Sequence, residues 1–121
     1  MDRNTRVVDA PRQRLFMEVQ RQFNENYPFL SIQWVKRTGG IVINRAEGRE
    51  TQQAASLLAR DIGLSDDMRV ADLEAALEQW FGYPVQVLRR AGNSWMETGM
   101  TRNWTLLQQN EQGRNIARGF E

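Results

Sequence analysis

Twice along this chain a helical recurrence of apolar residues is cut off by a proline and replaced by a recurrence of two. In the first instance Asp9 and Pro11 suit the cap and first turn of a helix over 11–26, in which Leu15, Phe16, Val19 and Phe23 share one face. Arg12, Arg14, Glu18, Gln22 and Glu25 fill the others. Pro28 supplies no amide proton and disfavours helix at Tyr27, and beyond it Leu30, Ile32 and Trp34 alternate with Ser31 and Gln33. In the second, "SDDMRVADLEAALEQWFGYP" carries Val70, Leu73, Ala76, Leu77, Trp80 and Phe81 as one apolar stripe. Gly82 stands where a left-handed cap is wanted, Pro84 prevents continuation, and "VQVLRRAGNSWMETGM" then alternates as a strand. A chain that switches period in this way must place helices against a sheet.

Both strand segments run into glycine turns. "TGG" at Thr38 to Gly40 followed by "IVIN" predicts a hairpin that puts Ile41 and Ile43 on the side of Ile32 and Trp34. A two-residue Gly92–Asn93 turn sets Ala91 against Ser94, Arg90 against Trp95, Leu88 against Glu97 and Val87 against Thr98. One face then holds Val85, Val87, Met96, Thr98 and Met100 and packs on the helices. The other holds Gln86, Leu88, Arg90, Trp95 and Glu97. Between the hairpins, "RETQQAASLLARDIG" has strong helix formers, with Ala54, Leu57, Leu58 and Ile62 near helical spacing, and reads either as a helix or as a partly mobile connection across 46–64. Thr105 with Gln108 has the form of a capping box, with Trp104 fixing the approach to it, so "TLLQQNEQG" predicts a short helix closing at Gly113. The resulting expectation is α+β: two β-hairpins in an antiparallel or mixed sheet, two amphipathic helices on one face and a short C-terminal helix. Residues 9–113 form a single domain, with flexible tails at 1–8 and 114–121.

Composition removes much chemistry. The 121 residues include no cysteine and no histidine, which excludes disulfides, thiolate nucleophiles, zinc sites of the usual type and the side chain most used as a base near neutral pH. A net charge of +1 gives no global field toward nucleic acid or anionic membranes, so any such binding needs a local patch. No apolar run approaches the roughly 20 residues of a membrane span, and the N-terminus lacks the apolar centre of a secretory signal; a cytoplasmic protein with no membrane partner is the default. Lys36 is the only lysine among sixteen basic residues, and the arginine forks suit phosphate, carboxylate and aromatic faces.

Candidate motifs are few. Asp66 and Asp67 before the 70–81 helix read as caps rather than metal ligands, and the glycines of "RTGGIVINR" read as a turn, because neither a phosphate-binding loop nor a dinucleotide fingerprint surrounds them. Trp34, Trp80 and Trp104 read as core or staple residues. Arg90 facing Trp95 forms a cation–π pair that serves structure alone, yet the same fork beside an exposed indole also suits a base or an anionic peptide. The block "VADLEAALEQWFGYPVQVLRRAGNSWMETGMTRNWTLLQQNEQG", 70–113, resembles a block of small bacterial proteins of unassigned function, in which a helix ending in Phe-Gly leads to a Gly-Asn hairpin and a Trp-Thr-Leu segment. That resemblance implies no catalytic or binding residue.

These features point to a non-catalytic protein-interaction or assembly module, not an enzyme and without a cofactor. Its binding candidates are Leu88, Arg89, Arg90, Trp95, Glu97 and Arg102. A protein partner or self-association fits that face, since Leu88 and Trp95 are left uncovered unless the last helix forms a third layer over them. A nucleic-acid-binding domain is the alternative; it requires Arg89, Arg90, Trp95 and Arg102, with Arg37 and Arg45, to converge on one face.

Overall fold

The computed structural model describes residues 10–35 and 49–119. Its elements run α1 (Ala10–Asn26), β1 (Leu30–Trp34), α2 (Arg49–Asp61), α3 (Val70–Phe81), β2 (Val85–Ala91), β3 (Ser94–Glu97), a 3-10 turn (Gly99–Thr101) and α4 (Leu106–Gly119). The three strands form one antiparallel sheet in the order β1-β2-β3, so the protein is α+β. The turn expected at 38–40 and the strand after it lie outside the described residues, and β1 takes β2 as its partner, with Leu30 opposite Arg89, Ile32 opposite Val87 and Trp34 opposite Val85. No helix among the described residues is long and apolar enough to cross a membrane.

The core lies between the sheet and the helices. Phe16, Val19 and Phe23 of α1, Leu30 and Ile32 of β1, Leu73, Leu77 and Phe81 of α3, Val85 and Val87 of β2 and Leu106 of α4 are all buried. Trp34 is half-buried and stacks on Phe16 with ring centroids 3.9 Å apart, while Phe81 meets both rings edge-on. Gly82, at φ 80°, ends α3 in the left-handed conformation and donates its N–H to Glu78 O at 2.7 Å, as its place before Pro84 requires.

Several expectations are corrected. The 46–64 segment contains a helix from Arg49 to Asp61, but it buries Ala55 and Leu58 and leaves Ala54 and Leu57 exposed. A single stripe on α1 side chains had no room for the second contact surface that α1 and α2 share. There Glu18, assigned to the solvent side, is buried at 2% exposure and bonded by Arg21 and by Gln22. The Arg21 bonds hold its carboxyl below the usual range against the opposing effect of burial. Trp80 stands 47% exposed on the flank of α3. Asp66 and Asp67 do not cap α3: Arg69 is the N-cap, without a side-chain bond, and carbonyls of the segment before α4 take the free amides, Val70 N–H to Trp104 O and Ala71 N–H to Arg102 O. Asp66 instead accepts the Tyr27 hydroxyl at 2.7 Å.

The capping box forms as expected, with Thr105 N–H on Gln108 Oε1 and Gln108 N–H on Thr105 Oγ1. The helix it opens does not close at Gly113 but continues to Gly119. Gly113 is needed for a close approach, since a Cβ there would stand 2.7 Å from Phe29 Cβ and 3.3 Å from Arg89 Cγ. The last helix is therefore no third layer on the outer face: it lies against Arg89, on the side of Leu30, Val85 and Val87.

Candidate functional site

The second hairpin has the register its turn dictates: Ala91 opposite Ser94, Arg90 opposite Trp95 and Leu88 opposite Glu97. Gly92 has φ 64° and Asn93 a negative φ, the combination of a type II′ turn, whose twist matches that of the strands it joins. Alternation then sorts the candidates. Leu88, Arg90, Trp95 and Glu97 project to one face together with Ser31, Gln33 and Gln86. Arg89 and Met96 project to the other.

On the first face Arg90 lies with its guanidinium carbon 5.5 Å from the Trp95 ring centroid and donates through Nε to Gly92 O at 2.8 Å. Two attachments hold the guanidinium over the indole. Trp95 is 39% exposed and Glu97 is exposed without an ion-pair partner among the described residues, whereas Leu88 between them is buried. Beside this face α1 and the sheet enclose an open hollow of about 450 Å³, lined by Met17, Glu18, Gln20, Arg21 and Asn24 of α1, with Ser31, Gln52 and Trp95. It offers amides, a hydroxyl, an indole and the Glu18–Arg21 ion pair.

The remaining candidates are engaged elsewhere. Arg89 donates through Nη1 to Gln109 Oε1 at 2.9 Å and through Nη2 to Met96 Sδ at 3.6 Å. Gln109, fully buried, in turn donates to Thr101 O and Oγ1. That chain of bonds fastens α4 to the sheet through Arg89. Arg102 pairs with Glu74 Oε1 at 3.0 Å, and Glu74 Oε2 accepts the Val87 N–H at 2.9 Å. Thr98, also buried, donates to Val87 O at 2.9 Å. Glu74 and Thr98 thus complete the β2 backbone where β3 has ended. The expected packing of Met96 and Met100 on the helices does not occur: Met96 is 42% exposed and Met100 99%. The chain turns into the 3-10 segment after Thr98 and carries Met100 off the sheet, while Met96 stays on β3 opposite Arg89. Arg37 and Arg45 lie outside the described residues.

One surface was not foreseen. Leu57, Ala54, Arg60, Asp61 and Trp80 line an open groove of about 620 Å³ between α2 and α3, where Trp80 Nε1 donates to Asp61 Oδ2 at 3.4 Å. Periodicity placed Leu57 and Trp80 in the core because each lies within one residue of a truly buried position; the cue was the width of each stripe, more than one neighbouring helix can cover. Among the described residues no group of three or more acidic side chains is gathered as a metal site. Comparisons with family models, with curated proteins and with solved structures find no match for the chain.

Proposed function

We propose that the protein is a non-catalytic interaction or assembly module that binds a protein partner through the hairpin face of Arg90, Trp95 and Glu97, with Leu88 buried beneath them. The observation that carries this reading is the preorganised pair at its centre. Arg90 is already held over an exposed indole, so a partner that stacks on Trp95 or bonds the fork orders little that is not already ordered. Tryptophan and arginine are also the side chains that most often dominate binding energy at protein interfaces. Glu97 supplies an acidic neighbour without an ion-pair partner among the described residues, which suits a mixed-charge protein surface better than a polyanion.

The arginines support this reading over nucleic acid. Arg89 is spent on Gln109 and Arg102 on Glu74, so among the described residues Arg90 stands on this face without a second arginine from the candidate set to continue a phosphate track.

The test is photo-crosslinking in cells from a benzophenone amino acid at position 93, in the exposed turn beside that face, with and without Trp95→Ala. A discrete protein adduct that disappears in Trp95→Ala, while the purified variant keeps its melting temperature within a few degrees, supports the module. An absence of adducts refutes it. Binding of labelled nucleic acid that weakens steeply with salt and is lost in Arg90→Ala would replace it with the nucleic-acid reading.

A further inference from the structure

The two edges of the sheet are finished differently. On β1, Arg90 N–H donates to Phe29 O and Val35 N–H to Pro84 O, so residues 29, 31, 33 and 35 bond toward β2 while Leu30 and Ile32 direct their carbonyls outward. Both outward carbonyls are taken by α1: Asn24 Nδ2 donates to Leu30 O at 2.8 Å and Gln20 Nε2 to Ile32 O at 2.6 Å. Side chains of α1 thus cover these two carbonyls.

The β3 edge has no such cover among the described residues. Arg90 bonds toward β1, so Arg89 and Ala91 bond toward β3, and their partners Met96 and Ser94 bond back toward β2. Trp95 and Glu97 therefore send both N–H and C=O away from the sheet, and nothing among the described residues bonds them. All four residues of β3 are exposed. The strand carries no proline, and its one charge points out of the plane of the sheet rather than guarding the edge.

Resting on the reading of this hairpin as an interaction surface, we propose that its partner is a second copy of the chain, paired antiparallel β3 to β3 about a twofold axis through Met96. The sequence of the strand selects this register. Only with Trp95 opposite the partner's Glu97, and Glu97 opposite the partner's Trp95, are all the outward backbone groups of residues 95 and 97 used in each copy. A register with Trp95 opposite itself would set Glu97 against the turn residue of the partner, and one with Glu97 opposite itself would set like charges face to face.

The chosen register is also complementary in charge. On one face it aligns Arg90, Trp95 and the partner's Glu97 across three adjacent strands, and by symmetry the same row in reverse. Arg90 already leans over Trp95, toward the incoming carboxylate, and neither Arg90 nor Glu97 has an ion-pair partner within its own chain among the described residues. On the opposite face Met96, 42% exposed, meets the partner's Met96. The product is a continuous six-stranded sheet with a closed point-group symmetry. With two bonded residues per copy the interface is small, so the association is expected to be reversible and concentration-dependent.

Sedimentation equilibrium over a concentration series from micromolar to near-millimolar decides the matter. The wild type is expected to rise from the 14.1 kDa chain mass toward twice that value. Glu97→Pro removes one outward N–H and no bond of the β2–β3 ladder, and is expected to remain at the chain mass with its melting temperature kept. As a second arm, Glu97→Arg alone is expected to abolish the dimer, and Arg90→Glu added in the same chain to restore it. A wild type that stays at the chain mass throughout overturns the proposal, as does a dimer that persists in Glu97→Pro. Edge pairing then fails by itself, since a Trp95-dependent adduct to a different protein in the crosslinking experiment would leave the interaction reading standing.

Discussion

Replacing Gly113 by alanine sets two opposed effects against each other at one atom. Gly113 is buried in the middle of α4, where exchanging glycine for alanine ordinarily stabilises a helix by about 1 kcal/mol through the lost backbone freedom of the unfolded chain. Here the added methyl would stand 2.7 Å from Phe29 Cβ, 3.3 Å from Arg89 Cγ and 3.4 Å from Phe29 Cγ. The first of these cannot swing aside, since it is fixed to a backbone whose own N–H is bonded to Asn110 Oδ1 at 2.9 Å on the same helix. Relief requires α4 to lift from the start of β1, which strains the Arg89–Gln109 bond as well. Overpacking of this kind costs roughly 1–3 kcal/mol. With the closest contact at a rigid atom the upper half of that range applies, leaving a net loss of about 1–2 kcal/mol, or roughly 3–8 °C in melting temperature for a chain of this size. Gly119→Ala is the control, because it lies at the end of the same helix with open space around it and is expected to be neutral or slightly stabilising. Urea denaturation followed by circular dichroism measures both. A Gly113→Ala protein stabilised by the full helix-propensity gain would refute the close approach of α4 to β1.

Other perturbations probe the polar contacts. Glu74→Ala strands the Val87 N–H and frees Arg102, and is expected to lower unfolding free energy by about 1–3 kcal/mol in denaturant titration, with Glu74→Gln recovering part of it. The Glu18 carboxyl, held low chiefly by its Arg21 bonds, contributes stability that is complete above the ordinary value of 4.5 and is lost as pH falls through its lower folded value; in Glu18→Gln the acid limb of a melting-temperature profile should flatten. Burial, reinforced by the bond to Asp66, pushes the Tyr27 hydroxyl well above its ordinary value of 10.0. Stability should therefore fall as pH rises past 10.0, and the fall should be smaller in Tyr27→Phe, with thermal melts at alkaline pH as the measure. Leu57→Ser, on the exposed flank of α2, is expected to change stability by no more than about 0.5 kcal/mol, whereas Leu58→Ala one residue on should cost about 2–5 kcal/mol.

That last pair shows where sequence reasoning lost resolution. Leu57 and Leu58 are indistinguishable as helical apolar residues, and a helix face is defined only to within about one residue until a neighbouring element chooses a side. The same holds for Trp80 beside Phe81. For Arg89 and Arg90 the alternation is unambiguous, and the error was to treat neighbours on a strand as neighbours on a surface, although a period of two sends them to opposite faces. Glu18 illustrates another limit: its burial depends on Arg21 and Gln22 of its own helix closing over it against α2, and only the first half of that arrangement is local.

What the sequence by itself determined were the features whose cause lies within a few residues. The helices stopped by Pro28 and by Gly82 with Pro84, the Gly92 turn with its register of Arg90 on Trp95, and the Thr105–Gln108 cap all follow from backbone chemistry and short spacing. What only the tertiary structure decided were the groups satisfied from far along the chain. Gln109 claims Arg89, Glu74 completes Val87 and claims Arg102, and Gln20 and Asn24 take two outward carbonyls of β1 while the outward groups of Trp95 and Glu97 meet no partner among the described residues. Those outcomes turn on hydrogen bonds made across space, where a buried donor or acceptor must find a partner wherever packing brings one, and no local pattern in the chain records which partner arrives.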